Sequence, residues 1–181
     1  MDRQLSLLNE TEPLARTVSS NPTPKASAPA KLTIFIDGAA RGNPGPAGVG
    51  IAISYHRKLV VEKGFYLGEK TNNQAEYTAL ICALVLAQDF CTKHHLAAPH
   101  FDIFSDSELL VRQIKGLYSV KNATLVQLKK HADKILNTVS YTITHVLREK
   151  NKVADKLANL GIDKKIKLPT TLEKVIAGNK D

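Results

Sequence analysis

Two short apolar runs, each leading to an aspartate, constrain the fold of this 181-residue chain more than any other feature. The run at residues 31–37 has apolar side chains on both faces and ends at Asp37, and the run at residues 101–104 is followed by Ser105 and Asp106. Strands that are apolar on both faces are typical of the centre of a covered sheet. Because active sites of open α/β sheets lie beyond the carboxyl ends of the strands, two parallel neighbours would place Asp37 beside Asp106.

A long helical pattern carries a third acid, Glu76. Residues 73–93 have apolar side chains at helical spacing, and Thr71 and Asn72 are candidate caps at the start. The amino end of this helix would direct Glu76 and free backbone N–H groups toward the same end of the sheet. The apolar positions of this pattern are Ala79, Leu80, Ala83, Leu84, Ala87 and Phe90.

The fourth acid, Asp155, opens the last helical pattern, which follows a β-rich run at residues 141–146. Since the helix starts where that strand ends, Asp155 would approach the same end of the sheet as the other acids. We predict that this helix ends at Gly161, a common residue after a helix end. The predicted core-facing stripe of this helix consists of Val153, Leu157 and Leu160.

Together the four acids predict a carboxylate cluster. A single aspartate after a strand is usually a turn residue or a helix cap, and that alternative applies to each acid taken alone. Close like charges cannot all stay ionised without a counter-charge. Hard divalent cations bound by oxygen ligands are the usual counter-charge.

The motifs around these acids resemble those of type 1 ribonuclease H. The resemblance covers residues 31–160 and implies an α/β, ribonuclease H-like fold, with a five-stranded mixed sheet and helices on both faces. In that fold the first three strands form an antiparallel meander, which the β-rich runs at residues 49–55 and 59–67 also indicate. The matching residues are Asp37-Gly38, Gly42-Asn43-Pro44-Gly45-Pro46, Thr71-Asn72-Asn73 with Glu76, Asp106-Ser107, and Asn151 with Ala154-Asp155.

The resemblance implies an endoribonuclease that hydrolyses the RNA strand of RNA–DNA hybrids with two Mg²⁺ ions, or Mn²⁺ as a substitute. The expected products carry 5′-phosphate and 3′-hydroxyl ends. By the same resemblance, Asp37 would bridge both ions and Asp155 would complete the site that activates water. Glu76 and Asp106 would hold the ion at the leaving 3′-oxygen. Both ions would neutralise charge on the scissile phosphate.

Four residues of the matching motifs, Asn43, Thr71, Asn72 and Asn73, are the substrate-binding candidates. An asparagine amide both donates and accepts hydrogen bonds, which suits contact with the 2′-hydroxyl that separates RNA from DNA. The glycines around Asn43 would let the backbone approach the nucleic acid closely. Two alternatives stay open, because the loop could be a plain tight turn and Asn72 and Asn73 could simply cap the helix.

The loop before Asp155 is short, as in the branch of the family where an arginine takes the place of a mobile histidine. We predict that Arg148 contacts the scissile phosphate or assists product release through its planar fork of donors. His145 is the alternative general acid, although a structural hydrogen bond at the strand end is the stronger expectation for it. The chain has no tryptophan and only a short stretch at residues 116–124, so the basic protrusion of some members is absent. We therefore expect weaker hybrid binding, and double-stranded RNA is a second candidate substrate.

The composition fits one domain that binds a polyanion. Residues 1–30 carry equal numbers of basic and acidic side chains, so the formal net charge of +8 belongs to the remainder. A basic domain suits a nucleic acid, with salt-sensitive affinity. Cys82 and Cys91 would lie on nearly opposite faces of one helix, so we expect reduced thiols and no zinc site. No run is expected to span a membrane and no signal-peptide core is evident, so a cytoplasmic monomer is the expectation.

Residues 1–30 are predicted to be a disordered tail and linker, because residues 12–30 are rich in Pro, Ser, Thr and Ala and have few large apolar side chains. The peptide Gln4-Leu5-Ser6-Leu7-Leu8 resembles the bacterial sliding-clamp-binding motif, with Gln4, Leu5, Leu7 and Leu8 as the contacting residues. Tethering to a clamp would raise the local enzyme concentration near replicating DNA. The alternative is a short amphipathic start without a partner.

The catalytic domain is predicted to span residues 31–161, followed by a basic tail at residues 162–181. This tail contains five lysines, at positions 164, 165, 167, 174 and 180. We expect it to be loosely attached. The alternative is a short helix near residues 171–177 that adds phosphate contacts.

Three rival functions are weaker on the motifs. A DNA junction resolvase of the same fold would not need the Gly-Asn-Pro-Gly-Pro and Thr-Asn-Asn motifs. A non-catalytic hybrid-binding module would tolerate loss of a carboxylate, and none of the four is missing. A separated reverse-transcriptase domain would accompany polymerase sequence, which this chain does not contain.

Overall fold

Five strands form one mixed sheet in the computed structural model, which describes residues 30–178. β1 (Lys31–Ala40), β2 (Gly45–Tyr55) and β3 (Lys58–Lys70) form an antiparallel meander. β4 (His100–Ser105) pairs with β1 in parallel, and β5 (Ser140–His145) pairs with β4 in parallel. The resulting order, β3-β2-β1-β4-β5, confirms the predicted sheet.

Helices cover both faces of this sheet. They are α1 (Asn72–Lys93), α2 (Glu108–Ile114), α3 (Ala123–Leu136), α4 (Lys152–Lys164) and α5 (Thr170–Ile176), with a single 3₁₀ turn at Arg148–Lys150 before α4. α1 packs on the central strands and contacts α3 and α5, whereas α4 packs on β1, β2 and β3. Gly38 abuts α1, while Gly50, the partner of Asp37 in the β1–β2 register, abuts α4. Because successive strand residues point to opposite faces, α1 and α4 lie on opposite sides.

α1 is the central helix of the core. Its predicted stripe is confirmed at Ala79, Leu80, Ala83, Leu84 and Ala87, which are all buried. Cys82 and Cys91 are also buried, and both are free thiols. The expectation that no segment is apolar enough to span a membrane is wrong for α1 by length and composition. The apolar composition of α1 suits a core helix, because 67% of its most apolar window is buried inside the fold.

The stripe predicted for α4 is wrong at Val153 and Leu160, whereas Leu157 is half-buried. Mostly small residues face the sheet instead. Val153 is 49% exposed and Leu160 is 39% exposed. The buried residues of α4 are Ala154, Ala158, Gly161 and Ile162. The helix backbone lies directly on the sheet: a Cβ added at Gly50 would stand 1.9 Å from the Ala154 carbonyl oxygen. At Ala154 and Ala158, opposite Gly50, a large side chain therefore has no room on this face.

The end of α4 and the segment after it also differ from the predictions. α4 continues past Gly161 and ends at Lys164, with Lys165 in the left-handed conformation as its cap. The Tyr66 N–H then donates to the Ile166 carbonyl over 2.7 Å. α5 follows and buries Leu172 in the core formed with α1 and α3. The prediction of a loosely attached tail is thus wrong for the described part of residues 162–181. The predicted clamp-binding peptide at residues 4–8 lies outside the described residues.

Candidate active site

Three of the predicted acids meet beside β1 and just beyond the carboxyl end of β4. The predicted end of the first strand at Asp37 is wrong, because β1 continues to Ala40 in its pairing with β2. Asp37, Glu76 and Asp106 each offer a carboxylate oxygen, and these oxygens lie within 4.8 Å of one another. We call these three residues the acidic cluster. The parallel register pairs Ile36 with Ser105, which brings the two strand ends together as predicted.

Glu76 reaches the cluster because α1 begins directly against β1. A Cβ added at Gly38 would lie 2.2 Å from the Glu76 backbone nitrogen, so only glycine permits this contact. The start of α1 is fixed by a capping box, in which Thr71 Oγ1 accepts from the Gln74 N–H and Gln74 Oε1 accepts from the Thr71 N–H. Glu76 therefore lies in the first turns of a helix whose position is set by backbone contact.

The cluster is electrostatically incomplete. Burial, followed by the charges of Asp106 and Asp155, raises the pKa of Asp37 from 3.8 to about 7. Burial and the charge of Asp37 also raise the pKa of Glu76 well above its usual range. Asp37 Oδ2 and Glu76 Oε2 are buried without a hydrogen-bond partner among the described residues. Unpaired buried carboxylate oxygens are costly, and a hard cation would satisfy them.

Asp155 lies near the cluster, but an arginine holds it. Its charge contributes to the raised pKa of Asp37, which places it within electrostatic reach. Its Oδ1 accepts a hydrogen bond from Arg148 Nη2 over 2.5 Å. The predicted fourth acid and the predicted phosphate-binding arginine therefore form an ion pair with each other.

Asn151 makes a contact that sequence reasoning missed. Its Nδ2 donates to the Ile36 carbonyl over 2.8 Å and to Asp106 Oδ1 over 2.6 Å. The side chain is 1% exposed, and its Oδ1 has no partner among the described residues. This asparagine ties the start of α4 to both strands that carry the cluster. Its spacing, four residues before Asp155, was visible in the sequence only as a motif match.

The four substrate candidates lie around the amino end of α1. Asn43 follows β1, in a loop with Gly42 at φ +104°, and its Oδ1 accepts from the Asn72 N–H over 3.1 Å. Asn72 and Asn73 are exposed, and the helix cap is Thr71 rather than either asparagine. The structure thus brings Asn43, Thr71, Asn72 and Asn73 together. It also leaves the two exposed amides of α1 free of a capping role.

His145 and the α2–α3 connection complete the surroundings. His145 ends β5 opposite Ser105 and is exposed. The expected structural hydrogen bond is not formed, since the His145 ring has no partner among residues 30–178. α2 ends at Ile114 and α3 begins at Ala123, so this stretch is short, as expected for a chain without a basic protrusion.

A mixed sheet flanked by helices on both faces, with carboxylates converging beside β1 and β4, is typical of the ribonuclease H-like class of folds. A family model described as reverse transcriptase-like matches residues 35–161. Ribonuclease HI of Halobacterium salinarum is 40% identical over 135 residues, which are 74% of this chain and 65% of that protein. A ribonuclease H of Pseudomonas putida is 32% identical over 141 residues, which are 73% of this chain and 93% of that protein. The chain belongs to the type 1 ribonuclease H family.

Solved structures agree with this assignment. The crystal structure of RNase H1 from Halobacterium salinarum superposes with a TM-score of 0.68 at 38% identity, covering 74% of this chain and 98% of that one. LC11-RNase H1, isolated from compost by a metagenomic approach, superposes with a TM-score of 0.69 at 43% identity. That structure covers 74% of this chain and 97% of its own, and it is a complex with an RNA/DNA hybrid. This chain spans just under two thirds of the Halobacterium protein's full length.

Proposed function

We propose that this protein is an endoribonuclease that hydrolyses the RNA strand of RNA–DNA hybrids. The observation that carries the proposal is the acidic cluster, in which two buried carboxylate oxygens lack a partner among the described residues. A buried group of like charges whose internal neutralisation is incomplete suits a site that binds divalent cations. Binding of a hybrid by LC11-RNase H1, at 43% identity, supports the substrate class.

The residues present fit two Mg²⁺ ions, with Mn²⁺ as a substitute. Asp37, Glu76 and Asp106 would hold one ion, and Asp37 with Asp155 would hold the other. When bound, such ions activate water near neutral pH and neutralise charge on the scissile phosphate. Asn151 holds Asp106 in place through its 2.6 Å hydrogen bond, so the Asp106 carboxylate has one orientation toward the cluster.

Substrate recognition is assigned to the surface around the start of α1. The exposed amides of Asn72 and Asn73 would contact 2′-hydroxyls in the minor groove of the hybrid, because an amide both donates and accepts. Asn43 uses its oxygen to accept from the Asn72 N–H, which leaves its NH₂ group to donate to the substrate. The excess of basic residues in the folded part would add salt-sensitive attraction to phosphates.

Cleavage of a hybrid with a labelled RNA strand tests the proposal. Wild type and Asp37→Asn are incubated with Mg²⁺ or Mn²⁺, beside double-stranded RNA and double-stranded DNA of the same sequence. We expect metal-dependent cutting of the RNA strand of the hybrid, with 5′-phosphate ends, and loss of cutting in Asp37→Asn. Cutting of double-stranded RNA as well would broaden the substrate class. Hybrid binding without any cleavage would contradict the proposed activity and support a non-catalytic hybrid-binding module.

A bacterial sliding clamp is the proposed partner of the peptide at residues 4–8. The support is the sequence Gln4-Leu5-Ser6-Leu7-Leu8 and the linker that separates it from β1. A pull-down of purified clamp by the intact protein tests this, with the double variant Gln4→Ala and Leu7→Ala as the control. Equal recovery of clamp by both proteins would contradict it.

A further inference from the structure

Arg148 has one polar partner in the structure, and that partner is a predicted metal ligand. Its Nη2 donates to Asp155 Oδ1 over 2.5 Å, and no other side-chain hydrogen bond of Arg148 is formed within residues 30–178. The Arg148 side chain is 74% exposed, whereas that of Asp155 is 27% exposed. The guanidinium therefore reaches from solvent to a half-buried carboxylate that the family resemblance assigns to a cation.

Among the described residues, Arg148 is the basic group whose charge acts on Asp37 of the acidic cluster. Its charge lowers the pKa of Asp37, against the larger raising effects of burial and of the neighbouring acids. In turn, the hydrogen bond and charge of Asp155, followed by the charges of Asp37 and Asp106, raise the pKa of Arg148 itself. The guanidinium thus interacts with the charges of Asp155, Asp37 and Asp106 and partly offsets them.

The backbone between the two members of this ion pair is anchored by a buried side chain, while the arginine side chain is mostly exposed. Asn151 lies between the two residues and is held by the Ile36 carbonyl and Asp106. A depression of about 240 Å³ adjoins the pair and is lined by Arg148, Glu149, Lys152 and Asp155. The guanidinium can therefore leave Asp155 by rotation of its own side chain, without rearrangement of α4.

We propose that Arg148 is an internal counter-ion that occupies the cation position at Asp155 until a divalent ion displaces it, and that displacement frees the guanidinium for the substrate phosphate. This inference rests on the proposed function. Two cations at one carboxylate repel each other, so a guanidinium bound to Asp155 Oδ1 at 2.5 Å disfavours a divalent ion at the same carboxylate. Ion binding and release of Arg148 are therefore coupled, so that the arginine is directed to phosphate only once the ion is present.

Mn²⁺ binding without substrate tests the coupling. Free Mn²⁺ is measured by electron paramagnetic resonance during titration of wild type, Arg148→Ala, Arg148→Lys and Asp155→Asn. The binding lost in Asp155→Asn identifies the site that competes with the arginine. Removal of an exposed ion pair should tighten that site about two- to fivefold in Arg148→Ala. Arg148→Lys should lie between wild type and Arg148→Ala, because a lysine keeps the charge without the planar fork.

The chain offers a matched control in Arg41. Its Nη2 contacts Asp163 Oδ1 over the same 2.5 Å, and its side chain is also exposed, but Asp163 lies outside the acidic cluster. Arg41→Ala should therefore leave the Mn²⁺ affinity at the wild-type value. Melting temperatures in EDTA confirm that each variant is folded.

The outcomes separate the two proposals. Equal or weaker Mn²⁺ affinity in Arg148→Ala, with hybrid cleavage reduced, would overturn the counter-ion role and leave Arg148 as a phosphate contact only. Tighter binding in both Arg148→Ala and Arg41→Ala would also overturn it, because the effect would then follow from net charge. Absence of Mn²⁺ binding by wild type, with or without hybrid, would instead overturn the proposed metal-dependent function.

Discussion

Asp37 and Asp102 lie on adjacent strands of one sheet, toward its opposite ends, and their surroundings differ completely. Asp102 accepts from Lys31 Nζ at 2.6 Å and from Thr142 Oγ1 at 2.9 Å, and His100 Nε2 lies 3.2 Å away. Burial raises the pKa of Asp102, but these hydrogen bonds and the charges of Lys31 and His100 outweigh it and lower the pKa. The amino end of β4 therefore carries a carboxylate that is neutralised within the fold.

Asp37 has the opposite character. Its Oδ2 is buried without a partner among the described residues, and its pKa is raised to about 7 by burial and by neighbouring acids. A fold that can pair one aspartate so fully leaves another unpaired only at a cost in stability. The difference supports a ligand-binding role for the carboxyl end of the parallel strands and a structural role for their amino end.

The largest expected effect contrasts the two aspartates directly. Asp37→Asn should lower hybrid cleavage on the order of 10³-fold or more, because it removes a predicted ligand of both ions. The same change should stabilise the metal-free protein, because it removes a charge from the cluster. Asp102→Asn should leave cleavage near wild type and lower the free energy of unfolding by about 1–2 kcal/mol. Cleavage rates and urea unfolding in EDTA measure both, and equal loss of cleavage in the two variants would break the comparison.

A smaller effect is expected from removing the side chains that donate hydrogen bonds to Asp106 and to Asp102. Asn151→Ala should destabilise the protein by about 2–3 kcal/mol, because it removes a buried donor to Ile36 and Asp106. It should also weaken Mg²⁺ binding about 10- to 100-fold, since Asp106 loses its orientation. Thr142→Val is the control at the amino end, where it removes the donor to Asp102. Unchanged Mg²⁺ affinity in Asn151→Ala, measured by calorimetry, would contradict the positioning role.

The pH dependence of stability should have opposite signs for the two aspartates. Between its ordinary pKa of 3.8 and about 7, folded Asp37 holds a proton that the unfolded chain has lost. The metal-free protein should therefore lose stability as pH rises through this window, on the order of 1–4 kcal/mol. The contribution of Asp102 is present above its ordinary pKa and is lost as pH falls through its lower folded pKa.

Urea unfolding in EDTA across this window measures the effect of Asp37. Mg²⁺ should abolish the decrease, because the ion binds the ionised carboxylates. A flat profile in EDTA would show that Asp37 is neutralised from within the fold, as Asp102 is.

The smallest effect is expected at Lys31. Lys31→Ala removes an ion pair whose lysine side chain is 63% exposed, so the expected destabilisation is about 0.2–1 kcal/mol. Cleavage should not change, because Lys31 is at the start of β1 and Asp37 is near its end. Thermal melting and the hybrid assay check both parts, and a clear loss of cleavage would extend the active site to the amino end of the sheet.

The family resemblance implied the order of the sheet, whereas local signals predicted that Asp37 would meet Asp106 if their strands were parallel neighbours. A strand that is apolar on both faces and ends in an acid specifies its position in a covered sheet with little help from the rest of the chain. Glu76 was also placed correctly, since the start of α1 is marked by Thr71 and by the apolar spacing of the helix.

The details of α4 could not be predicted because they depend on contacts across the fold. Periodicity assigns the core face of a helix to its large apolar residues, which here are Val153 and Leu160. The observed face consists mostly of small residues because Gly50 has no side chain and the helix backbone contacts the sheet there. Local sequence does not reveal this contact. For the same reason local sequence does not reveal the contacts of Asn151 with Ile36 and Asp106, which depend on the placement of α4 beside β1 and β4.

The most direct test of the account is the position of Mn²⁺ in crystals of the protein, located by anomalous diffraction. The account predicts a peak among the carboxylate oxygens of Asp37, Glu76 and Asp106, at about 2.1–2.3 Å from its ligands, and none beside Asp102. A crystal with saturating Mn²⁺ and no peak at the acidic cluster, or with a peak only at the amino end of the sheet, would contradict it.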